Sequence, residues 1–195
     1  MRLGILASGS GSNMEAIAQA IADQRLRGEI AVVIYNEPDA YVQHRAAVRQ
    51  IPVVYRNHRL YGSREALDQE LLGVLRAHGV DLVLMAGWMR IVTPVLIQGF
   101  PQRILNIHPS LLPSFRGMHA IQQALDYGVK ITGCTVHVVV PEVDAGRILA
   151  QAAVPILPDD TLHSLQLRIQ AQEHRIYPEA IAEYQHLLSA SHVPI

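Results

Sequence analysis

The sequence predicts an α/β fold: a three-layer, Rossmann-like arrangement with a mostly parallel, twisted sheet of about seven strands and helices on both faces. Three observations predict it. Short runs rich in Val, Ile and Leu recur along the chain, as strands buried on both faces do. Segments with helical spacing of apolar residues separate most of them. The first run also opens directly onto a Gly/Ser turn and a helix, the start of a βαβ unit.

The elements follow in order. A strand at 3–7 (LGILA) runs into Ser8-Gly9-Ser10-Gly11, and Met14, Ile17, Ala18 and Ile21 then mark one face of a helix at 12–25. Strands at 31–35 and 52–55 flank a helix at 40–50, and a helix at 64–78 precedes a strand at 82–86. Thr93-Pro94 opens a short helix to Gly99, because proline is tolerated in a first turn. A brief strand at 103–105 leads into 107–118, the longest stretch without clear structure, and such loops are usually functional. A helix at 119–127 follows. Strands at 133–140 and 148–154 then come with no helix between them, before a long helix from about 161 to 188. The last five residues, 191–195, read as a frayed end.

A chain of 195 residues is expected to form one domain, 1–195, long enough to bury roughly 70% of its unfolded surface. Half the residues are hydrophobic and 17% are charged, which excludes extensive disorder. The net charge of −1, with no run of Lys or Arg, argues against nucleic acid and anionic membrane as partners. No apolar stretch approaches the roughly 20 residues of a membrane helix, and the start of the chain does not read as a signal peptide. Cys134 is the single cysteine, so no internal disulfide can form and a cytoplasmic location is expected. Within a Val/Thr-rich strand it reads as a buried structural thiol rather than a nucleophile.

Two regions carry chemistry. The turn Ser8-Gly9-Ser10-Gly11-Ser12-Asn13 brings backbone close to a ligand, with Ser12 or Asn13 as a helix cap and free N–H groups that favour an anion. The dinucleotide pattern needs a third glycine where Met14 stands, and no Gly-Lys-Ser/Thr marks a P-loop. A small phosphorylated substrate fits better than NAD or ATP, although Glu37 stands where a ribose-binding acid would. The second region is Asn106-Ile107-His108-Pro109-Ser110 together with Asp144 in Pro141-Glu142-Val143-Asp144-Ala145-Gly146. Each group lies at or just past the end of a strand, the rim where open α/β sheets bind ligands. An amide, an imidazole and a carboxylate suffice for acyl transfer: an oxyanion donor, an acid and a partner that keeps the acid protonated. A turn aspartate often bonds only its own backbone, so that reading of Asp144 stays open. His137 reads as a core or edge histidine and His119 as a residue near a helix start. Met85 to Val92, with the only tryptophan at 88, reads as an apolar slot or as core. Gln170, Glu173 and Arg175 read as a solvated helix face. No metal-ligand spacing and no serine-hydrolase elbow appears.

These motifs together resemble the folate-dependent phosphoribosylglycinamide formyltransferases of purine synthesis. The likeness spans Met1 to about Ala182. It rests on Ser-Gly-Ser-Gly-Ser-Asn at 8–13, Ser-Arg-Glu-Ala at 63–66, Met-Ala-Gly-Trp-Met-Arg-Ile-Val at 85–92, Asn-Ile-His-Pro-Ser-Leu-Leu-Pro at 106–113, Val-Asp-Ala-Gly at 143–146 and Gln-Glu-His-Arg-Ile-Tyr-Pro at 172–178. Trp88 stands where Phe is common, Ala145 where Gly is frequent, and the tail is shorter than in many members. The resemblance implies a phosphate-binding half at 1–100 and a catalytic, folate-binding half at 101–195. It implies that Gly11, Ser12 and Asn13 hold the phosphate of the ribosyl glycinamide, with Gln170 and Glu173 binding the same molecule. It places Arg64 at the tail of 10-formyltetrahydrofolate. Met89, Arg90, Ile91 and Val92, with Val140, Pro141, Glu142, Val143 and Asp144, hold its pterin ring. The resemblance also implies that Asn106 and His108 bind the formyl oxygen, with Asp144 as the partner that would raise the pKa of His108.

The implied reaction is attack of the glycinamide amine on the formyl carbon, without metal or covalent intermediate. Protonated His108 and Asn106 stabilise the oxyanion. Imidazole titrates near about 6.5, so a carboxylate neighbour has a purpose at cytoplasmic pH. Three alternatives share features. Methionyl-tRNA formyltransferase would need a further tRNA-binding domain, and formyltetrahydrofolate hydrolase a regulatory one. A catalytically silent ligand-binding module would need no turnover at all. The expected partners are small molecules, with the chain a monomer or homodimer.

Overall fold

The computed structural model describes residues 1–190; the expected frayed end at 191–195 lies outside the described residues. Among the described residues, seven strands form one sheet: β1 (Arg2–Ala7), β2 (Glu29–Tyr35), β3 (Val53–Tyr55), β4 (Leu82–Met85), β5 (Ile104–His108), β6 (Ile131–Val138) and β7 (Ile148–Pro155). Six α-helices accompany them: α1 (Ser12–Ala22), α2 (Val42–Val48), α3 (Arg64–Ala77), α4 (Pro94–Gly99), α5 (Ala120–Tyr127) and α6 (Leu162–Ala190). The spatial order is β3-β2-β1-β4-β5-β6-β7. β1 to β5 pair in parallel, and β6 and β7 add antiparallel.

Alternate side chains of each parallel strand go to opposite faces, and each face has its own core. Leu3, Ile5, Val33, Leu82, Leu84, Leu105 and Ile107 pack with Met14, Ile17, Val42, Leu165, Ile169 and Tyr177 of α1, α2 and α6. Leu6, Ile34, Val83, Met85 and Ile104 pack with Leu67, Leu71, Leu75 and Leu96 of α3 and α4. This double burial is why the strands read as unbroken apolar runs. The three layers, the seven strands and the helices on both faces agree with the sequence-based expectation.

Several boundaries differ from that expectation, each for a local reason. α1 ends at Ala22, because Gln24 turns into the left-handed region with φ 61°. β5 does not stop at 105 but runs through His108. Its polar end is paired, Asn106 opposite His137 and His108 opposite Thr135. β6 begins at Ile131 and ends at Val138, which frees Val139 and Val140 for the following loop. α6 is fastened to the sheet by Tyr177, whose buried hydroxyl donates to the carbonyls of Met85 and Leu105 at 3.2 and 3.1 Å. It thereby meets β4 at its C-terminal end and β5 one residue past its start.

Candidate active site at the rim of the sheet

The strand order reverses between β1 and β4, and the crevice beyond their C-terminal ends is the place where such sheets bind ligands. One side of it is the turn after β1. Gly11 precedes α1 at φ 75°, and a Cβ there would come within 2.9 Å of the Val42 backbone, so only glycine fits. No side chain caps the helix. The expectation that Ser12 or Asn13 would do so is corrected: Gly11 is the capping residue, and Ser12 and Asn13 are the first two helical residues. Their N–H groups therefore face the crevice end of the helix without an intrahelical acceptor.

Asn13 is buried, and its Nδ2 donates to Glu173 Oε2 at 2.8 Å, while its Oδ1 has no hydrogen-bond partner. Glu173 is thus not on a solvated face, as its spacing with Gln170 and Arg175 suggested; it is buried because α6 packs along α1. That burial pushes its carboxyl pKa up, against the lowering effect of Asn13. Gln170 is half-buried one turn earlier, and only Arg175 is exposed. Arg45, which the sequence did not single out, donates from Nε to the Ser10 carbonyl at 2.9 Å. It sets a cation on the Gly/Ser turn.

The segment after β4 is tied to the same turn. Ser8 N donates to the Gly87 carbonyl at 3.0 Å, and Met89 N donates to Ser8 Oγ at 2.9 Å. Trp88 belongs to the core with Val92, Leu96 and Phe100, whereas Met89 and Ile91 are exposed and Arg90 is half-buried. Val139, at the start of the loop joining β6 to β7, packs on the cluster that holds Met85, Trp88 and Val92. That loop goes on to carry Val140, Pro141, Glu142, Val143 and Asp144. Arg64 is the exposed first residue of α3, capped by Ser63 Oγ on Ala66 N at 3.1 Å.

Asn106, His108 and Asp144 converge. His108 Nδ1 lies 3.3 Å from Asp144 Oδ2, and its Nε2 donates to the Phe115 carbonyl at 2.9 Å. Asp144 takes φ 51° in its turn, and its Oδ2 also accepts from Gly117 N at 2.8 Å. It bonds across to the loop after β5 rather than to its own turn. The chain can make that reach because Gly146 sits against the Val138 carbonyl, where a Cβ would come within 1.7 Å.

His137 completes the cluster, and sequence reasoning placed it in the core or at an edge. Its Nε2 is 3.4 Å from Asp144 Oδ1 and 3.1 Å from Asn106 Nδ2. The pairing of β5 with β6, which sets it opposite Asn106, leaves no local signal in sequence. For Asp144, burial raises the pKa, but hydrogen bonds from His137 and Gly117 and the charges of His108 and His137 outweigh it. Its carboxyl stays ionised below the usual range. The loop after β5 is held from beneath by Thr135, which donates to the Ser110 carbonyl at 2.7 Å and accepts from Leu112 N at 3.0 Å. Cys134 is fully buried, which pushes its thiol up to about 12 and leaves it chemically silent. Among the described residues no group of three or more His, Cys, Asp or Glu could hold a metal ion, and no helix is long and apolar enough to cross a membrane.

A Gly/Ser turn at one end of the crevice and an amide–imidazole–carboxylate cluster at the other is an arrangement for moving a small acyl group. The formyl transferase family matches residues 1–181, and the chain belongs to that family. Within it, the phosphoribosylglycinamide formyltransferase of Bacillus subtilis (strain 168) is 38% identical over 182 residues, covering 93% of each chain. The trifunctional purine biosynthetic protein adenosine-3 of Drosophila melanogaster is 44% identical over 183 residues; these are 93% of this chain but only 14% of that protein. Among solved structures, glycinamide ribonucleotide transformylase 1 from Symbiobacterium toebii superposes with a TM-score of 0.92 at 50% identity, covering 93% of this chain and 86% of that one.

Proposed function

We propose that the chain is a phosphoribosylglycinamide formyltransferase of purine biosynthesis. It carries the formyl group of 10-formyltetrahydrofolate to the amine of 5-phosphoribosylglycinamide. The observation that carries the chemistry is the setting of His108. Both of its ring nitrogens face oxygens that can only accept, the Asp144 carboxylate and the Phe115 carbonyl. The ring is satisfied only with a hydrogen on each nitrogen, which is the acid form that acyl transfer needs.

The amine attacks the formyl carbon, and negative charge grows on the formyl oxygen. That oxygen replaces the Phe115 carbonyl as acceptor of His108 Nε2–H, and the Asn106 amide supplies a second donor. One such donor is typically worth about 3–4 kcal/mol in a water-poor site. Asp144, ionised, holds the ring in its charged form and relays the proton of the attacking amine toward the leaving nitrogen. The substrate phosphate lies on the N–H groups of Gly11, Ser12 and Asn13, with Gln170 and Glu173 binding the rest of that molecule. The folate spans Arg64, Met89 to Val92 and the loop 140–144. The protein acts as one formyltransferase domain whose first hundred residues hold the phosphate, whose remainder does the chemistry, and whose folate is held by residues of both. The 38% identity with the Bacillus subtilis enzyme over 182 residues supports this substrate pair.

The test follows tetrahydrofolate and formate separately, with and without phosphoribosylglycinamide. Tetrahydrofolate released only with the amine, and no formate, is the expected result. Equal tetrahydrofolate and formate without the amine would make the chain a hydrolase instead.

A further inference from the structure

We propose that His137 is a positioning residue, bearing hydrogen on both ring nitrogens and clamping Asp144 and Asn106 through the one on Nε2. Its Nδ1 lies 3.1 Å from the Val138 carbonyl, which can only accept, so Nδ1 carries a hydrogen. Its Nε2 lies 3.4 Å from Asp144 Oδ1, which, ionised, also can only accept. A bare Nε2 could accept from Asn106 Nδ2 but would still set its lone pair against a carboxylate, in a place where the ring is only 2% exposed. Repulsion of that kind is poorly screened in such a place.

The hydrogen on Nε2 then decides the state of Asn106. The two ends of an amide have the same shape, and the network around them fixes which is which. With a donor at Nε2, 3.1 Å away, the amide turns by half a turn so that Oδ1 accepts and Nδ2 points away from the ring. That leaves the whole NH2 group for the oxygen of a ligand. Asp144 is gripped at the same time from both sides, by His137 on Oδ1 and by His108 and Gly117 on Oδ2. One buried imidazole outside the reacting groups thus sets the direction of two of them.

The reading of the amide rests on the proposed formyl transfer, but the state of the ring does not, and the experiment separates the two. The full chain is labelled with 15N-histidine, and long-range 1H–15N spectra are recorded at pH 7.5, with His137→Gln used to assign the signals. Both His137 nitrogens are expected to resonate as protonated; an imine-type Nε2 would overturn the proposal whatever the activity. Kinetics form the second arm. His137→Leu is expected to lower kcat about 100-fold, the scale of an ångström of misplacement, with KM for both substrates within about 3-fold. His137→Gln, whose amide can donate at the same place, is expected to recover to within about 10-fold of the parent. Equal rates for the Leu and Gln variants would overturn the proposal. If His137→Leu does not fold, the ring-nitrogen spectra of the parent still decide.

Discussion

The two halves of the sheet build their ends of the crevice from different materials. After β1 and β2 the working groups are backbone: the N–H groups of Ser12 and Asn13 beyond a glycine held at φ 75° by the close approach of Val42. After β5 and β6 they are side chains, drawn from two strands and one loop and joined through one carboxylate, to which the loop after β5 adds a backbone N–H. A backbone site depends on chain conformation and tolerates changes of side chain around it. A side-chain cluster depends on register, since a slip of one residue between β5 and β6 would turn His137 away from Asn106. If the two ends serve binding and chemistry as proposed, substitutions should divide between KM and kcat along the same line.

The largest effect is expected at Asp144. Replacing it with Asn keeps the shape but removes the charge that faces both imidazoles. The rate of formyl transfer is expected to fall about 10³-fold, within the range of general acid–base contributions, and its pH dependence to move toward acid. Wild-type turnover at pH 8 would refute the assigned role. Stability gives an independent sign. The folded-state pKa of this carboxyl is depressed, so its contribution is present above the unfolded value of about 3.9 and lost as pH falls through the lower folded value. Acid unfolding monitored below about pH 4 is expected to show that loss in the parent and not in Asp144→Asn. Asn106→Ala comes next, with kcat lowered about 10²-fold and KM for the phosphorylated substrate unchanged, as for loss of one oxyanion donor. A change confined to that KM would move Asn106 from chemistry to binding.

The same contrast explains what could be read from sequence. The parallel half was legible because its signals are local. Apolar runs give the strands, and Gly9 and Gly11 after the first of them give the turn. Asn106, His108 and Asp144 could be named as three groups at strand ends, but only the resemblance made His108 and Asp144 partners, since 36 residues separate them. His137 was hidden because strand alternation says which face a residue takes and not which residue stands opposite. Glu173 was misread for a related reason. Polar residues three apart on a helix look solvated until another helix, here α1 with Asn13, lies against them. Phe115, whose carbonyl meets His108, sits in a loop that no periodicity describes.

At the backbone end, Gly11→Ala sharpens the comparison. The left-handed conformation costs a side chain about 1–2 kcal/mol, and the new Cβ meets the main chain of Val42 rather than a movable tip. The turn must shift, so KM for phosphoribosylglycinamide is expected to rise about 10-fold. The midpoint in urea should fall, while kcat at saturation stays within about 3-fold of the parent. A loss of kcat as large as that for Asn106→Ala would show that the two ends are not separable.

The smallest effect is expected at Glu173, and it carries a sign that distinguishes it from Asp144. Burial raises this carboxyl above its ordinary value, with the Asn13 hydrogen bond only partly offsetting it. A raised folded-state pKa means that stability is fully present below the unfolded value of about 4.3 and is lost as pH rises through the folded one. Glu173→Gln keeps an oxygen to accept from Asn13 Nδ2 and cannot ionise. It is therefore expected to gain thermal stability relative to the parent as pH is raised from 4 to 8, the opposite of the trend at Asp144→Asn. Its KM for phosphoribosylglycinamide should rise several-fold, since an amide is a weaker acceptor than a carboxylate. Melting temperatures of both proteins across that pH range decide the matter. If the parent gains on the variant with rising pH, the charged form of Glu173 is stabilised by the fold, and the α1–α6 contact is held by charge rather than in spite of it.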